Sequence, residues 1–331
     1  MENFFVEERV SFEKSDTVVV SSAYLPKKKT FKKQFISNMP LLIMLLPGFL
    51  TLLFFAYKPM TGLLIAFQDY RPRAGIWGSP WADHYGFGNF IELFSNYKFV
   101  PVLINTFRIT LLHIVVNWPA PIILALLLNE IRCGWFKKLT QTLTYMPHFF
   151  SWVIMGGIFK MLFSTVGPVN ELITSLGGSA VPFFTSNGAF LALLIGTSVW
   201  KGVGSGAIVY IAALAGVDES LYEAAYIDGA TKFKQVIYIT LPSIMGTITT
   251  VFIMNLSGVL NAGFDQIFNM YNYSVYEIAD VIDTYSYTLL MRSEWEMGTT
   301  LGLFKSFVGL FFVLGSNWLV KKISDEEYGI L

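Results

Sequence analysis

Six long apolar segments constrain this chain more than any other feature of its sequence. They cover about residues 40–67, 102–128, 143–163, 188–214, 235–260 and 299–320. The hydrocarbon core of a bilayer is about 30 Å thick, and about 20 apolar residues in a helix cross it. The segments lack the alternation of apolar and polar residues that β-barrel strands need, and backbone groups in lipid must pair within their own segment. The sequence therefore predicts an all-α, polytopic membrane protein with about six transmembrane helices.

The composition agrees with a membrane setting. Hydrophobic residues make up 54% of the chain and charged residues 14%, whereas soluble proteins carry about 25% charged residues. The formal net charge is zero, so no global field indicates nucleic acid as a partner. Cys133 alone cannot form a disulfide framework, and the scattered histidines His84, His113 and His148 predict no metal site.

Lysine and arginine residues divide the connecting segments into two groups. They are concentrated in residues 1–37, in the connections after the second and fourth helices, and in the tail at 321–331. With six helices these regions share one side, which the positive-inside rule identifies as the cytoplasm. Both termini are therefore predicted to be cytoplasmic, on either side of a transmembrane domain at 38–320. The opposite side has an acidic loop at 261–298, in which Glu277, Asp280 and Asp283 are expected to be solvated or to face a partner.

The connection between the fourth and fifth helices, about residues 216–242, has the most specific pattern. Ser220 and Glu223 stand at the spacing of a capping box, which predicts the start of a short helix. Gly229 predicts the end of that helix. A second short helix then leads to Leu241 and Pro242, where the chain is expected to bend into the membrane. We therefore predict a rigid helix–turn–helix on the cytoplasmic face.

This connection resembles the signature loop of the permease subunits of bacterial ABC importers. The resemblance rests on the spacing of Glu223, Ala224, Ala225, Gly229, Ile239, Leu241 and Pro242. Further segments are similar to sugar permeases of this family, among them 88–90, 147–151, 200–202 and 210–214. The branch that imports oligosaccharides released from polysaccharides is the most similar one.

The resemblance implies a function, a set of partners and a location. The chain would be a permease subunit in the cytoplasmic membrane of a bacterium. It would form a heterodimer with a second homologous permease and bind two cytoplasmic ATPase subunits and an extracellular substrate-binding protein. The short helix would be a coupling helix that docks on the ATPase. The positions implied for ATPase coupling are Glu223, Ala224, Ala225, Asp228, Gly229, Leu241 and Pro242.

No nucleotide-binding motif occurs in the chain. The pattern Gly-x-x-x-x-Gly-Lys-Ser/Thr is absent, and the glycine-rich stretch 201–206 lies within a membrane helix, where small residues allow close packing. The chain is therefore not expected to be an enzyme or to hold a cofactor, and the resemblance assigns ATP and Mg²⁺ to the partner ATPase subunits.

Charge within a membrane helix is costly and usually functional. We hypothesise that Arg108, Lys201 and Lys305 face the transport cavity and favour an anionic sugar. Alternatively, they pair with carboxylates of a partner chain or with Asp265, or extend to the interface. The candidates for hydrogen bonding and stacking with sugar, which helix packing explains equally well, are Trp200, Tyr210, Asn255 and Asn261.

The sequence argues against two other classes of protein. An ion-coupled secondary transporter normally needs Asp or Glu within the membrane, and none of the six segments contains one. A membrane-embedded enzyme would need a cluster of catalytic side chains at the membrane boundary, and no such cluster is evident in the sequence.

Overall fold

A computed structural model describes residues 35, 38–257 and 260–323 of the chain. Almost all of the predicted N-terminal segment 1–37 and most of the tail 321–331 lie outside the described residues. Within the described residues the secondary structure is helical, and the β-pairing is limited to an isolated bridge between Gln68 and Trp81. The prediction of an all-α fold is confirmed.

The helices are numbered here along the described part of the chain. They are α1 Met39–Leu52, α2 Gly75–Gly78, α3 Gly88–Ser95, α4 Phe99–Leu112, α5 Pro119–Glu130, α6 Gly134–Tyr145, α7 Trp152–Leu162, α8 Pro168–Ser175, α9 Asn187–Leu214, α10 Glu219–Ile227, α11 Lys232–Gln235, α12 Leu241–Ser243, α13 Met245–Ser257, α14 Phe264–Met270, α15 Tyr276–Ala279, α16 Ile282–Met291 and α17 Trp295–Ile323. Turns of π-helix occupy Leu53–Tyr57, His113–Asn117 and Val236–Thr240, and 3₁₀ turns occupy Lys58–Phe67, Met146–Phe149 and Tyr273–Val275. At Asp83–Gly86 the chain forms a left-handed turn, with φ of 53° at His84 and 58° at Tyr85.

Among the described residues, four or five helical stretches are long and apolar enough to cross a membrane. The continuous ones are Met39–Phe67, Phe99–Glu130, Asn187–Leu214 and Trp295–Trp318. A further span is possible if Lys232–Ser243 and Met245–Leu256, which meet at an angle of 63°, are taken together.

The predicted third helix at 143–163 is not continuous. A 3₁₀ turn at Met146–Phe149 separates α6 from the 11-residue α7, because Pro147 has no N–H with which to continue an α-helix. The predicted count of six membrane-spanning helices is therefore not confirmed.

The described residues up to Met60 and those from Thr61 onward form two separate compact units. In the first unit, every described side chain from 38 to 60 is exposed, although most of them are apolar. A helix that is apolar on all sides requires lipid or another protein around it. This surface is therefore consistent with a membrane-embedded helix.

Three clusters of buried side chains stabilise the second unit. The first joins α4, α7 and α9 to the chain between 262 and 281, and the second joins α3, α4 and α16 to α17. The third joins α5, α9 and α13, with Tyr210 and Ile244 buried at its centre. The third cluster also contacts Leu241 and Val217, at the two ends of the predicted cytoplasmic connection.

The region 261–298 is not an open loop, as the sequence suggested, but a packed helical insert. We call Phe264–Met291 the outer insert; it contains α14, α15 and α16. Its backbone is held by side chains of α4, because Asn105 donates to the carbonyls of Glu277 and Asp280 and Thr106 Oγ1 accepts from the Ile282 N–H. The loop prediction failed because these polar partners lie more than 150 residues away in sequence.

The glycine-rich stretch of α9 allows helices to pack closely, as predicted. A Cβ atom on Gly204 would collide with the carbonyl of Thr144 at the end of α6, and one on Gly206 would lie 2.8 Å from Pro121 Cγ in α5. The two glycines therefore bring α9 against both neighbours.

Candidate coupling segment and transport cavity

The short helix α10 begins one residue earlier than the capping pattern predicted. Asp218 is its N-cap, and the Asp218 carboxylate accepts a hydrogen bond of 2.9 Å from the Ser220 N–H. This backbone bond, with a smaller contribution from the Ser220 side chain, holds the pKa of the Asp218 carboxyl below its usual value. The capping box expected from Ser220 and Glu223 is wrong, because Ser220 already lies within the helix.

The prediction that Gly229 ends this helix is confirmed. Gly229 has φ of 73°, and no other group lies within 4 Å of where its Cβ would be. The Gly229 N–H donates to the Tyr226 carbonyl and the Ala230 N–H to the Ala225 carbonyl, which is the Schellman arrangement. Glycine is therefore required here by the left-handed backbone and not by close approach of a neighbouring group within the chain.

An apolar surface that was not predicted from the sequence is exposed around α10. Glu223, Ala224 and Asp228 are exposed, as a docking helix requires. Beside them, Tyr226 and Ile227 are 78% and 83% exposed, and Phe233 of α11 is 74% exposed. Large apolar side chains in a short charged connection could have indicated this surface before the structure was known.

The segment after α10 is connected to the membrane helices by specific contacts. Tyr222 Oη lies 3.0 Å from Thr240 Oγ1, which connects α10 to the π-turn Val236–Thr240. Lys232 pairs with Glu130 at the end of α5, at 3.4 Å. Leu241 packs against the third core cluster. The bend occurs at Ile244, two residues after the predicted Pro242. The predicted order of a short helix, a turn and a second short helix is present.

A cavity of about 540 Å³ opens between α4, α5, α9 and α13. Its walls contain three of the predicted sugar contacts, namely Tyr210, Asn255 and Asn261. None of the described residues that line it is an aspartate, glutamate, lysine or arginine. The wall that this chain contributes is therefore polar but uncharged.

Arg108, Lys201 and Trp200 are not among the residues that line this cavity. Arg108 donates to Asn105 Oδ1 at 2.8 Å, and Asn105 in turn holds the outer insert. Lys201 donates to the carbonyl of His148 at 2.9 Å, with its ammonium 5.4 Å from the centre of a Trp152 ring. Pro147 interrupts the helix in the 3₁₀ turn before α7 and leaves the His148 carbonyl available. This carbonyl therefore accepts the hydrogen bond from the Lys201 ammonium. Trp200 contacts Phe159 edge-on.

Lys305 forms an ion pair within the chain, but not with Asp265 as one alternative proposed. Its ammonium lies 2.6 Å from Asp283 Oδ1 of the outer insert and also donates to Asn261 Oδ1. Both side chains of the pair are mostly buried, at 19% and 23% exposure. Asp283 was expected to be solvated or to face a partner, which is wrong because the insert folds back onto α17.

A polar group on the π-turn His113–Asn117 was missed by sequence reasoning. His113, Asn117 and Trp118 all line the cavity, and Ser198 of α9 faces them. Asn117 Nδ2 lies 2.6 Å from Ser198 Oγ and 2.8 Å from His113 Nδ1. The sequence pattern that could have indicated this group is the cluster of polar residues in an apolar segment just before Pro119.

The fold is that of a multi-pass helical membrane protein in which the short exposed helix α10 connects two of the long helices. Residues 117–325 match the family of binding-protein-dependent transport system inner membrane components, and the chain belongs to that family. It is 41% identical over 302 residues to the polygalacturonan/rhamnogalacturonan transport system permease protein YteP of Bacillus subtilis, covering 91% of this chain and 93% of that one. It is also 41% identical over 288 residues to the protein LplB of Bacillus subtilis, covering 86% of this chain and 90% of that one.

The chain is also similar to chains of solved ABC transporter structures. The chain superposes with a TM-score of 0.83 and 34% identity on a chain of a bacterial alginate ABC transporter in complex with alginate pentasaccharide-bound periplasmic protein. That match covers 91% of this chain and the whole of the other. A second structure, of a bacterial ABC transporter that imports the acidic polysaccharide alginate, matches with a TM-score of 0.82 and 36% identity, covering 88% of this chain and 98% of the other. The predicted ABC importer permease is confirmed.

Proposed function

We propose that this chain is the membrane-spanning subunit of an ATP-driven importer of oligosaccharides that contain uronic acids. Support for the substrate class comes from the relative named for polygalacturonan and rhamnogalacturonan and from the alginate importer. The observation that carries the mechanism is the exposed helix α10, which is joined by hydrogen bonding and packing to the helices around the cavity.

The exposed face of α10 would dock in a groove on a cytoplasmic ATPase. Glu223 would pair with a basic group there, while Ala224 leaves room for close approach. Ala225 is half-buried and would support the helix from its inner side. Tyr226 and Ile227 would supply apolar contact area, the larger part of the binding energy in such interfaces.

Movement of the ATPase would reach the cavity through a short path. Tyr222 connects α10 to Thr240, and Leu241 contacts the third core cluster, which contains Ile244. Tyr210 belongs to this cluster and also lines the cavity. A rigid displacement of α10 would therefore move the cavity wall, as alternating access requires.

The proposed assembly contains a second homologous permease, two ATPase subunits that hold ATP and Mg²⁺, and an extracellular binding protein. The distribution of lysine and arginine in the sequence supports an orientation with both termini in the cytoplasm. The uncharged cavity wall implies that cations opposite the sugar carboxylates come from the partner permease or the binding protein.

A purified importer tests this proposal. The tagged chain is isolated with its partners from membranes, and ATP-dependent uptake of trigalacturonate is measured in proteoliposomes supplied with binding protein. Glu223→Arg should remove the ATPase subunits from the eluate and abolish uptake, because it reverses the charge at the proposed contact. Glu219→Arg, also on an exposed position of α10, is the matched control and should retain both.

Two outcomes would contradict the proposal. If the wild-type chain brings down no ATPase, or if Glu223→Arg retains an active one, the coupling assignment is wrong. If a proton uncoupler abolishes uptake at constant ATP, the importer is ion-coupled instead.

A further inference from the structure

We infer that His113, Asn117 and Trp118 form a subsite that recognises sugar hydroxyl groups and carries no charge. This inference rests on the proposed function, because it concerns the same cavity. It assigns to the π-turn between α4 and α5 a role in choosing the substrate by its hydroxyl pattern and not by its carboxylates.

The π-turn places these side chains together. The backbone N–H of Trp118 donates to the backbone carbonyl of His113 at 3.2 Å, which is the i to i+5 bond that defines this turn. One extra residue in the turn shifts the helical register, so that positions 113, 117 and 118 all line the cavity.

Hydrogen bonding within the group fixes the state of His113. An amide nitrogen only donates, and Asn117 Nδ2 uses its two hydrogens on Ser198 Oγ and His113 Nδ1. His113 Nδ1 therefore accepts, and a neutral ring carries its proton on Nε2. The Nε2 atom is thus a hydrogen-bond donor.

Three polar atoms of the group remain unused. His113 Nε2, Asn117 Oδ1 and Trp118 Nε1 are buried and have no hydrogen-bond partner of acceptable geometry among the described residues. The Tyr210 hydroxyl lies close to the Trp118 indole nitrogen without forming such a bond. Leaving a buried donor or acceptor unsatisfied is destabilising, so a ligand that satisfies all three is favoured.

The unused atoms match the chemistry of a sugar. They are two donors and one acceptor, and each hydroxyl group of a pyranose can donate one hydrogen bond and accept two. A carboxylate only accepts, so it could not satisfy Asn117 Oδ1. Trp118 also packs against Phe252, with ring centres 4.7 Å apart, so its indole is held in place.

The test uses the complete importer in proteoliposomes with its binding protein and two probes, trigalacturonate and a deoxy analogue in which a hydroxyl group is replaced by hydrogen. The variants are His113→Phe and Trp118→Phe. Their matched controls are His148→Phe and Trp200→Phe, which change the same residue types outside the cavity wall. Uptake is measured per assembled importer, so that loss of folding does not count as loss of recognition.

We expect each variant to lower uptake of trigalacturonate about three- to tenfold, the effect of one lost hydrogen bond, and to leave uptake of the deoxy probe less affected. The wild-type preference for the unmodified probe should shrink accordingly, while both controls keep the wild-type preference. A fall in uptake with an unchanged preference, or no fall at all, overturns the inference while import stands. If the wild-type importer takes up no oligosaccharide with ATP, the proposed function fails first.

Discussion

The phenol oxygen of Tyr222 lies 3.0 Å from the hydroxyl oxygen of Thr240, which joins α10 to the helical segment that leads to α13. Thr240 is buried, and its hydroxyl also lies 3.3 Å from the Gln235 carbonyl, five residues earlier. The contact connects two elements that are otherwise linked by the turn at Gly229. It is therefore the most direct hydrogen-bonded link between the proposed ATPase contact and the cavity.

Removing the hydroxyl of Tyr222 should weaken coupling without preventing folding. Tyr222→Phe keeps the ring and loses one hydrogen bond, worth about 1 kcal/mol. We expect sugar transported per ATP hydrolysed to fall about twofold or more, with normal assembly. Tyr238→Phe is the control, since Tyr238 is 74% exposed on the same segment. An equal ratio in wild type and both variants would show that this contact does not transmit motion.

Substitutions at Gly229 should follow backbone preference and not side-chain size. Its φ of 73° costs an L-residue about 1–2 kcal/mol, and Asn adopts this region more readily than Ala. We expect ATPase recovery in a pulldown to decrease in the order Gly, Asn, Ala, Val. If close approach of the ATPase sets the requirement instead, the smaller Ala will be tolerated better than Asn.

The ion pair between Lys305 and Asp283 should be sensitive to the loss of one partner. Lys305→Met or Asp283→Leu leaves a mostly buried charge unpaired, which costs about 3 kcal/mol. The double variant should recover much of this loss, because neither charge then remains. Thermal unfolding of the purified importer measures the effect.

The exposed ion pair between Lys232 and Glu130 is a matched control for the buried pair of Lys305 and Asp283. These side chains are 67% and 46% exposed, so Lys232→Met should cost less than about 1 kcal/mol. Additive losses in the Lys305 and Asp283 double variant would mean that the two residues are not coupled.

Asp280 of the outer insert should make stability depend on pH. Burial raises the pKa of its carboxyl, while a hydrogen bond from Thr284 and the charge of Lys98 oppose the shift. A raised pKa means that the folded protein binds a proton more tightly than the unfolded chain. The resulting stability is present below the ordinary carboxyl pKa and is lost as pH rises through the raised pKa.

The neutral variant Asp280→Asn should therefore be more stable than wild type at pH 7 and respond less to pH between about 4 and 7. It keeps the Oδ1 acceptor for Thr284, so packing is preserved. Thermal unfolding across this range measures both effects, with Asp265→Asn on the exposed surface as control. Lower stability of Asp280→Asn at pH 7 would contradict the assignment.

Features set by local chemistry were predictable. Apolar segments of sufficient length predicted membrane helices, because the bilayer thickness sets their length. The turn after α10 followed from Gly229, whose left-handed backbone few other residues adopt. The start of α10 was misplaced because two capping residues, Asp218 and Ser220, compete within three positions and only one can precede the helix.

Contacts between distant segments were not predictable. Asp283 and Lys305 are 22 residues apart, and Asn105 reaches carbonyls 172 and 175 residues away. These pairings depend on how the outer insert folds back, which no local pattern encodes. The same holds for Lys201, since the His148 carbonyl that it meets is freed by a break in a helix expected to be continuous.

The sequence by itself determined that this chain is a helical membrane protein with a short helical connection between two of its long helices. Only the tertiary structure decided which residues face the cavity, because a helix that is apolar on most sides has no polar face to fix its rotation. A change of one residue in register turns a side chain by about 100°. That rotation, set here by the π-turn at His113–Asn117 and by close packing at Gly204, placed Asn117 in the cavity wall and Lys201 outside it.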